Sequence, residues 1–174
     1  MSRFAIYIIG VTMIVVDLWW LKIWPLPAML FNLSLLLSII VTIRRGFIPG
    51  LMMSVVAAIG YSVFSVVGDG RHYLAFILAV VACSIISSKF VANRSTLSLV
   101  TTVSLSTVIF YLALMIWELI GHWLGSSLIL IPYSQLLISG LTQAICHPLI
   151  VSLVWKLFRR GQYDRLQTVI NRPF

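Results

Sequence analysis

Charge is what this chain has least of. Charged residues make up 9% of its 174 positions, and only four are acidic: Asp17, Asp69, Glu118 and Asp164. A soluble domain averages about 25% charged residues, so little room is left for a soluble reading. Cysteine is as sparse. Cys83 and Cys146 lie inside apolar runs, with neither CxxC spacing nor a His at metal-site distance, which points to inert buried thiols. HExxH, GxSxG, a Walker motif and an acidic triad for a metal are all missing. That disfavours an enzyme, and no cofactor is expected. There is no low-complexity segment and no internal repeat.

What the chain does have is apolar length. Hydrophobic residues reach 61% and mean hydropathy is +1.09. A membrane span needs about 20 apolar residues to cross about 30 Å of hydrocarbon. The runs predict an all-α membrane protein with six transmembrane helices at about 4–21, 28–43, 46–67, 72–91, 97–119 and 133–158. Together they form one domain over 1–158, and 159–174 follow as a basic cytoplasmic tail. The first run begins after Arg3 like a signal peptide, but it ends in Trp19, Trp20 and Trp24 without a small-residue cleavage site, so it is expected to be retained.

The cations orient these spans. Ten of the 12 Lys+Arg lie at Arg3, Arg44, Arg45, Lys89, Arg94, Lys156, Arg159, Arg160, Arg165 and Arg172, all in one alternating set of gaps. Only Lys22 and Arg71 occupy the other set. Cationic short loops stay cytoplasmic, which predicts both termini inside. The same bias accounts for the net charge of +8 and the pI of 10.1 without nucleic acid as a partner. Trp19, Trp20, Trp24, Trp117 and Trp123 fall near expected outer ends and Trp155 near the inner face, as headgroup-level anchors do. The basic tail is suited to anionic lipid headgroups.

Four features are candidates for function. A small-residue stripe, Gly46, Gly50 and Ser54, opens the third span at a spacing of four and suits close helix packing or a docking face for a partner. An outer polar level gathers Asp17, Asp69, Arg71, Glu118 and His122; a Glu118–Arg71 pair is one arrangement, solvated helix ends another. Asp17 and Glu118 fall about a turn inside the boundary and draw most attention. In the sixth span, Gln143 and His147 share a face, and Pro148 should kink the helix and free the carbonyl near Ala144. The fifth span carries Thr101, Thr102, Ser104, Ser106 and Thr107, which suits helix packing better than a cavity lining.

Size, six spans and basic inner loops resemble MreD, the rod shape-determining membrane protein family of bacteria. The likeness is strongest at Gly46-Phe47 with Gly50, similar to the family's GF..G segment opening the third span. The Gly68 turn with Leu74, and Pro148 with the basic end Lys156 to Arg160, also fit. The chain departs from the pattern at Met53 and Ser54, where an acidic residue is common. The family's Pro-Asp/Asn-Leu opening of span two survives only as Phe31-Asn32-Leu33. The resemblance implies a non-enzymatic scaffold of the cell-elongation machinery in the bacterial inner (cytoplasmic) membrane. It implies direct binding to MreC, and through it to MreB, RodA and a class B penicillin-binding protein. It also implies a fold similar to the substrate-binding subunits of energy-coupling-factor vitamin transporters, which supplies an alternative function. The AxxxA docking motif of those subunits is missing from span one, and Ala75 with Ala79 repeats its spacing in span four.

Overall fold

Each long apolar run can satisfy its own backbone as a helix, and helices are what form. The computed structural model describes residues 8, 11, 12, 15–17, 32–64, 71–90, 96–124 and 133–170, and every secondary-structure element among them is an α-helix. Positions 8, 11, 12 and 15–17 are helical and belong to the expected first span. After them come α1 (Leu33–Arg45), α2 (Phe47–Phe64), α3 (Arg71–Phe90), α4 (Thr96–Trp123) and α5 (Tyr133–Ile170).

Several boundaries differ from the sequence reading, each for a local reason. The second helix was expected from 28, but Asn32 is not helical and its side-chain Oδ1 accepts from the Leu35 N–H at 2.8 Å, which starts the helix at Leu33. Residues 28–31 lie outside those described. Gly46 was expected to open the third span. Instead it sits at φ 94°, where a residue with Cβ is strained, and turns the chain between α1 and α2 in a single step. α4 runs on to Trp123, beyond the expected end at 119. α5 continues from the sixth span to Ile170, so residues 159–170, expected as a separate tail, prolong the same helix. No proline follows Pro148 until Pro173, and Arg165, Leu166 and Gln167 are good helix formers.

Two helical stretches, Leu97–Trp123 and Ser134–Leu153, are long and apolar enough to cross a membrane. The apolar stretches of α2 and α3 are shorter, Phe47–Val63 and His72–Ser88. α1, at 13 residues, extends only about 20 Å.

α1 is the hub. It packs on α2, α3 and α4, while α2–α3, α3–α4 and α4–α5 pack in sequence around it. Seven of its 13 residues are buried, among them Leu35, Ile39 and the hydroxyl row Ser34, Ser38 and Thr42. Ser38 Oγ donates to Ser34 O and Thr42 Oγ1 to Ser38 O, so these two satisfy themselves along the helix. A string of rings crosses the bundle: Tyr61 of α2 against Phe76 of α3, Phe76 edge-on to Phe110 of α4, and Phe110 edge-on to Tyr111, with centroids 5.8, 4.9 and 5.3 Å apart. Such offset and edge contacts add to area burial. Polar groups are concentrated inside this core: Ser54, Thr102, Ser106, Thr107, Gln143 and His147 are all buried. The outer faces are apolar, with Ile138, Leu141, Ile145, Leu149 and Leu153 forming an exposed stripe along α5.

Candidate functional site

A helix leaves its first four N–H groups without internal partners, and burying that end demands acceptors from elsewhere. The N-terminus of α1 is buried, and all four are accounted for by three side chains. Leu33 N–H donates to Asp17 Oδ1 at 3.1 Å and Ser34 N–H to Asp17 Oδ2 at 2.7 Å. Leu35 N–H donates to Asn32 Oδ1 at 2.8 Å, and Asn32 N–H to His147 Nε2 at 3.4 Å. Asp17 comes from the N-terminal helical segment and His147 from α5, and His147 lies 115 positions along the chain from the Asn32 amide it accepts from.

Asp17 is 4% exposed. Besides the two amides it accepts from Ser34 Oγ at 2.6 Å and from Tyr61 O–H of α2 at 3.2 Å. Four donors converge on one carboxyl group at the positive end of a helix dipole. The carboxyl group therefore fastens the N-terminal segment, α1 and α2 to one another.

His147 is fully buried, and its second nitrogen, Nδ1, lies 3.1 Å from Thr107 Oγ1 of α4. Thr107 donates its own proton to Val103 O at 2.9 Å. The hydroxyl is thus left to accept, which assigns the imidazole proton to Nδ1 and leaves Nε2 as the acceptor for Asn32. One ring orients α1, α4 and α5 together. One turn back, Ala144 O loses its usual partner because residue 148 is a proline; Ser104 Oγ of α4 donates to it at 2.9 Å. The carbonyl that the sequence marks as freed is thereby recaptured across the helix interface.

The remaining candidates are distributed differently. Glu118 is buried near the end of α4, and His122 is exposed a turn beyond it. Asp69 lies outside the described residues; Arg71 is described as the first residue of α3 but its side chain is not, so the Glu118–Arg71 pairing lies outside what is described. Gln143 is buried on the His147 face of α5. In the small-residue stripe, a Cβ at Gly50 would run into Thr42, colliding with its Oγ1 and approaching within 2.8 Å of its Cβ and 3.0 Å of its Cα. Ser54 is fully buried and bonds back to Leu51 O at 2.8 Å. Gly50 and Ser54 are covered by the chain's own core and offer no free face to a partner; Gly46 alone of the three is exposed. Of the fifth-span hydroxyls, Ser104 and Thr107 reach across to α5, whereas Thr101 and Thr102 bond back to Leu97 O and Ser98 O.

The sequence reading named Thr107 only among the packing hydroxyls of the fifth span, and it missed Tyr61 and Ser34, and also Gly140, where an added Cβ would stand 3.0 Å from Tyr111 Cβ. Gly140 was legible: Gly140, Ala144 and Pro148 recur at a spacing of four on the face that meets α4. Tyr61 carried no local signal. Asn32, noted only as a remnant of a family motif, is the helix cap, and Asn and Asp are equally good caps.

Comparison with family models, curated proteins and solved structures finds no match, so the likeness to MreD rests on the quoted residues alone. Among the described residues no group of three or more His, Cys, Asp or Glu could hold a metal ion.

Proposed function

We propose that this chain is a non-enzymatic scaffold of the bacterial inner membrane, with six spans and both termini cytoplasmic, acting in cell elongation as MreD proteins do. The membrane part is supported by the inside-out character of the bundle. Hydroxyls, an amide and an imidazole are buried, while Leu and Ile line the exposed faces of α4 and α5. A soluble monomer rarely exposes contiguous apolar surface beyond a few hundred Å², and lipid removes that cost. In this reading α1 begins inside the bilayer, about 20 Å from its inner end. Its polar N-terminus is tolerated there because protein groups satisfy it.

The observation that carries the scaffold reading is the use made of two of the buried ionisable side chains. Asp17 and His147, which would be the first suspects for transport or catalysis, are both engaged in holding α1. The GF..G likeness also acquires a physical sense. Gly46 makes the one-residue turn and Gly50 allows α2 to lie against Thr42. The transporter alternative is weakened at its docking motif, since Ala75 and Ala79 are fully buried in the core of this chain.

The test is affinity purification of the tagged protein from its native membrane in mild detergent, with mass spectrometry of what accompanies it. Recovery of MreC, with MreB, RodA or a class B penicillin-binding protein behind it, is the expected result. Recovery of a transmembrane coupling protein with paired ATPases would replace the scaffold by the solute-binding alternative.

A further inference from the structure

The inner ends of α1 and α5 carry a second assembly, separate from the capped N-terminus of α1. Arg44, at the end of α1, holds its guanidinium 5.1 Å from the centroid of the Trp155 ring of α5. Contacts of this kind fix an otherwise mobile cation in place. Arg45 follows on α1 and Lys156 follows Trp155 on α5, and both are exposed. Gly46 then turns the chain at once, so α2 begins beside Arg45, bringing a helix N-terminus with its positive dipole end. The first residues of α2, Phe47 and Ile48, are 40% and 67% exposed. One seated arginine, two exposed cations next to it and to its Trp155 seat in sequence, a helix N-terminus and an exposed apolar step are thus brought together. In the multi-span reading Asp164 is the one acid of the four on this side, against ten cations.

We infer that the inner ends of α1, α2 and α5 form a binding site for the phosphate headgroup of an anionic phospholipid, with Arg44, Arg45 and Lys156 on the phosphate and Phe47 and Ile48 along the upper acyl chain. Guanidinium groups match phosphate oxygens in pairs. A free phosphate ion would use the cations but not the apolar step, and the juxtaposition of the two favours the lipid. The arginines also offset the negative end of the α1 dipole, but that role does not need Trp155 to seat one of them. The inference rests on the multi-span reading with this face cytoplasmic.

The experiment uses the full-length protein in detergent, exchanged against phosphatidylglycerol or phosphatidylcholine, with retained lipid counted by native mass spectrometry. Phosphatidylglycerol is expected to be retained selectively, inorganic phosphate at matched concentration failing to displace it. Arg45→Gln and Lys156→Gln should each weaken retention about fivefold. Trp155→Leu keeps every charge and should also weaken it, because Arg44 loses its seat. Arg71→Gln, a charge-matched change at the other end of the bundle, should have no effect. Arg45 and Lys156 are exposed, Trp155 is half-buried against the core, and size-exclusion profiles check that each variant remains folded. Equal loss in Arg71→Gln and Arg45→Gln, with Trp155→Leu unchanged, would mean diffuse attraction only and would overturn the site; so would displacement by inorganic phosphate. Failure of the topology would register separately, as reversed thiol labelling in cells, without altering retention in detergent.

Discussion

At the scale of single residues, the most consequential side chain is Asp17, because three of its four donors belong to the first turn of α1. Removing a buried carboxyl group leaves those donors with neither protein nor water. Each buried donor left without its acceptor costs about 1–3 kcal/mol. Asp17→Ala is therefore expected to destabilise the protein by about 3 kcal/mol or more, and Asp17→Asn by less, since one oxygen remains. Thermal unfolding in detergent, followed by tryptophan fluorescence, checks the order; an Asp17→Ala variant melting with the wild type would remove Asp17 from this role. Gly50 is a second residue-scale case. Thr42 is β-branched and cannot swing its Cβ away, so Gly50→Ala should force α1 and α2 apart at a cost of about 1–3 kcal/mol. Gly46→Ala should also destabilise, but through backbone strain at φ 94° rather than collision, since nothing lies within 4 Å of its added Cβ. A Gly50→Ala protein as stable as the wild type would contradict the close approach.

At the scale of elements, α4 and α5 are joined by a hydrogen bond that a proline creates the need for. Pro148 removes the N–H that Ala144 O would accept, and Ser104 Oγ replaces it. A double-mutant cycle isolates this. Ser104→Ala alone should cost about 1–3 kcal/mol, because the carbonyl is left unsatisfied. In a Pro148→Ala background the helix supplies its own N–H, and the same substitution should cost little. Strictly additive effects would show that the two positions are uncoupled. The element scale is also where sequence reading was most and least informative. The apolar runs predicted the helices, and the shared face of Gln143 and His147, read from their spacing of four, is the buried face of α5. The start of α1 was not, because apolar residues continue upstream of Asn32, and only the cap and its distant acceptors decide where the helix begins.

At the scale of the whole molecule, the proposal that the chain spans the membrane six times with both ends inside makes a direct prediction. A single cysteine introduced at Arg94 should be shielded from an impermeant thiol reagent in intact cells, and one introduced at Asp69 should react, in a background lacking Cys83 and Cys146. Labelling in the opposite sense would invert the orientation. The background itself should be tolerated differently at its two sites. Cys83 is fully buried, its thiol 3.9 Å from Ile39 O, so Cys83→Ala removes packing between α3 and α1. Cys146 is only half-buried and is the milder substitution.

By itself the sequence determined the helical class, the approximate place of each long helix, the clustering of cations in alternate gaps and the choice of Asp17, Glu118 and His147 as side chains needing an explanation. Those follow from composition and periodicity, which are local. The tertiary structure alone decided how the polar groups are satisfied. It joined Asp17, Asn32, Tyr61, Thr107 and His147 at the start of one short helix, gave Ser104 to the carbonyl behind Pro148, and set Gly50 of the small-residue stripe against Thr42. The physical reason is that a buried donor accepts any partner of suitable geometry, near or far in the chain. Which partner it finds is settled when the helices pack.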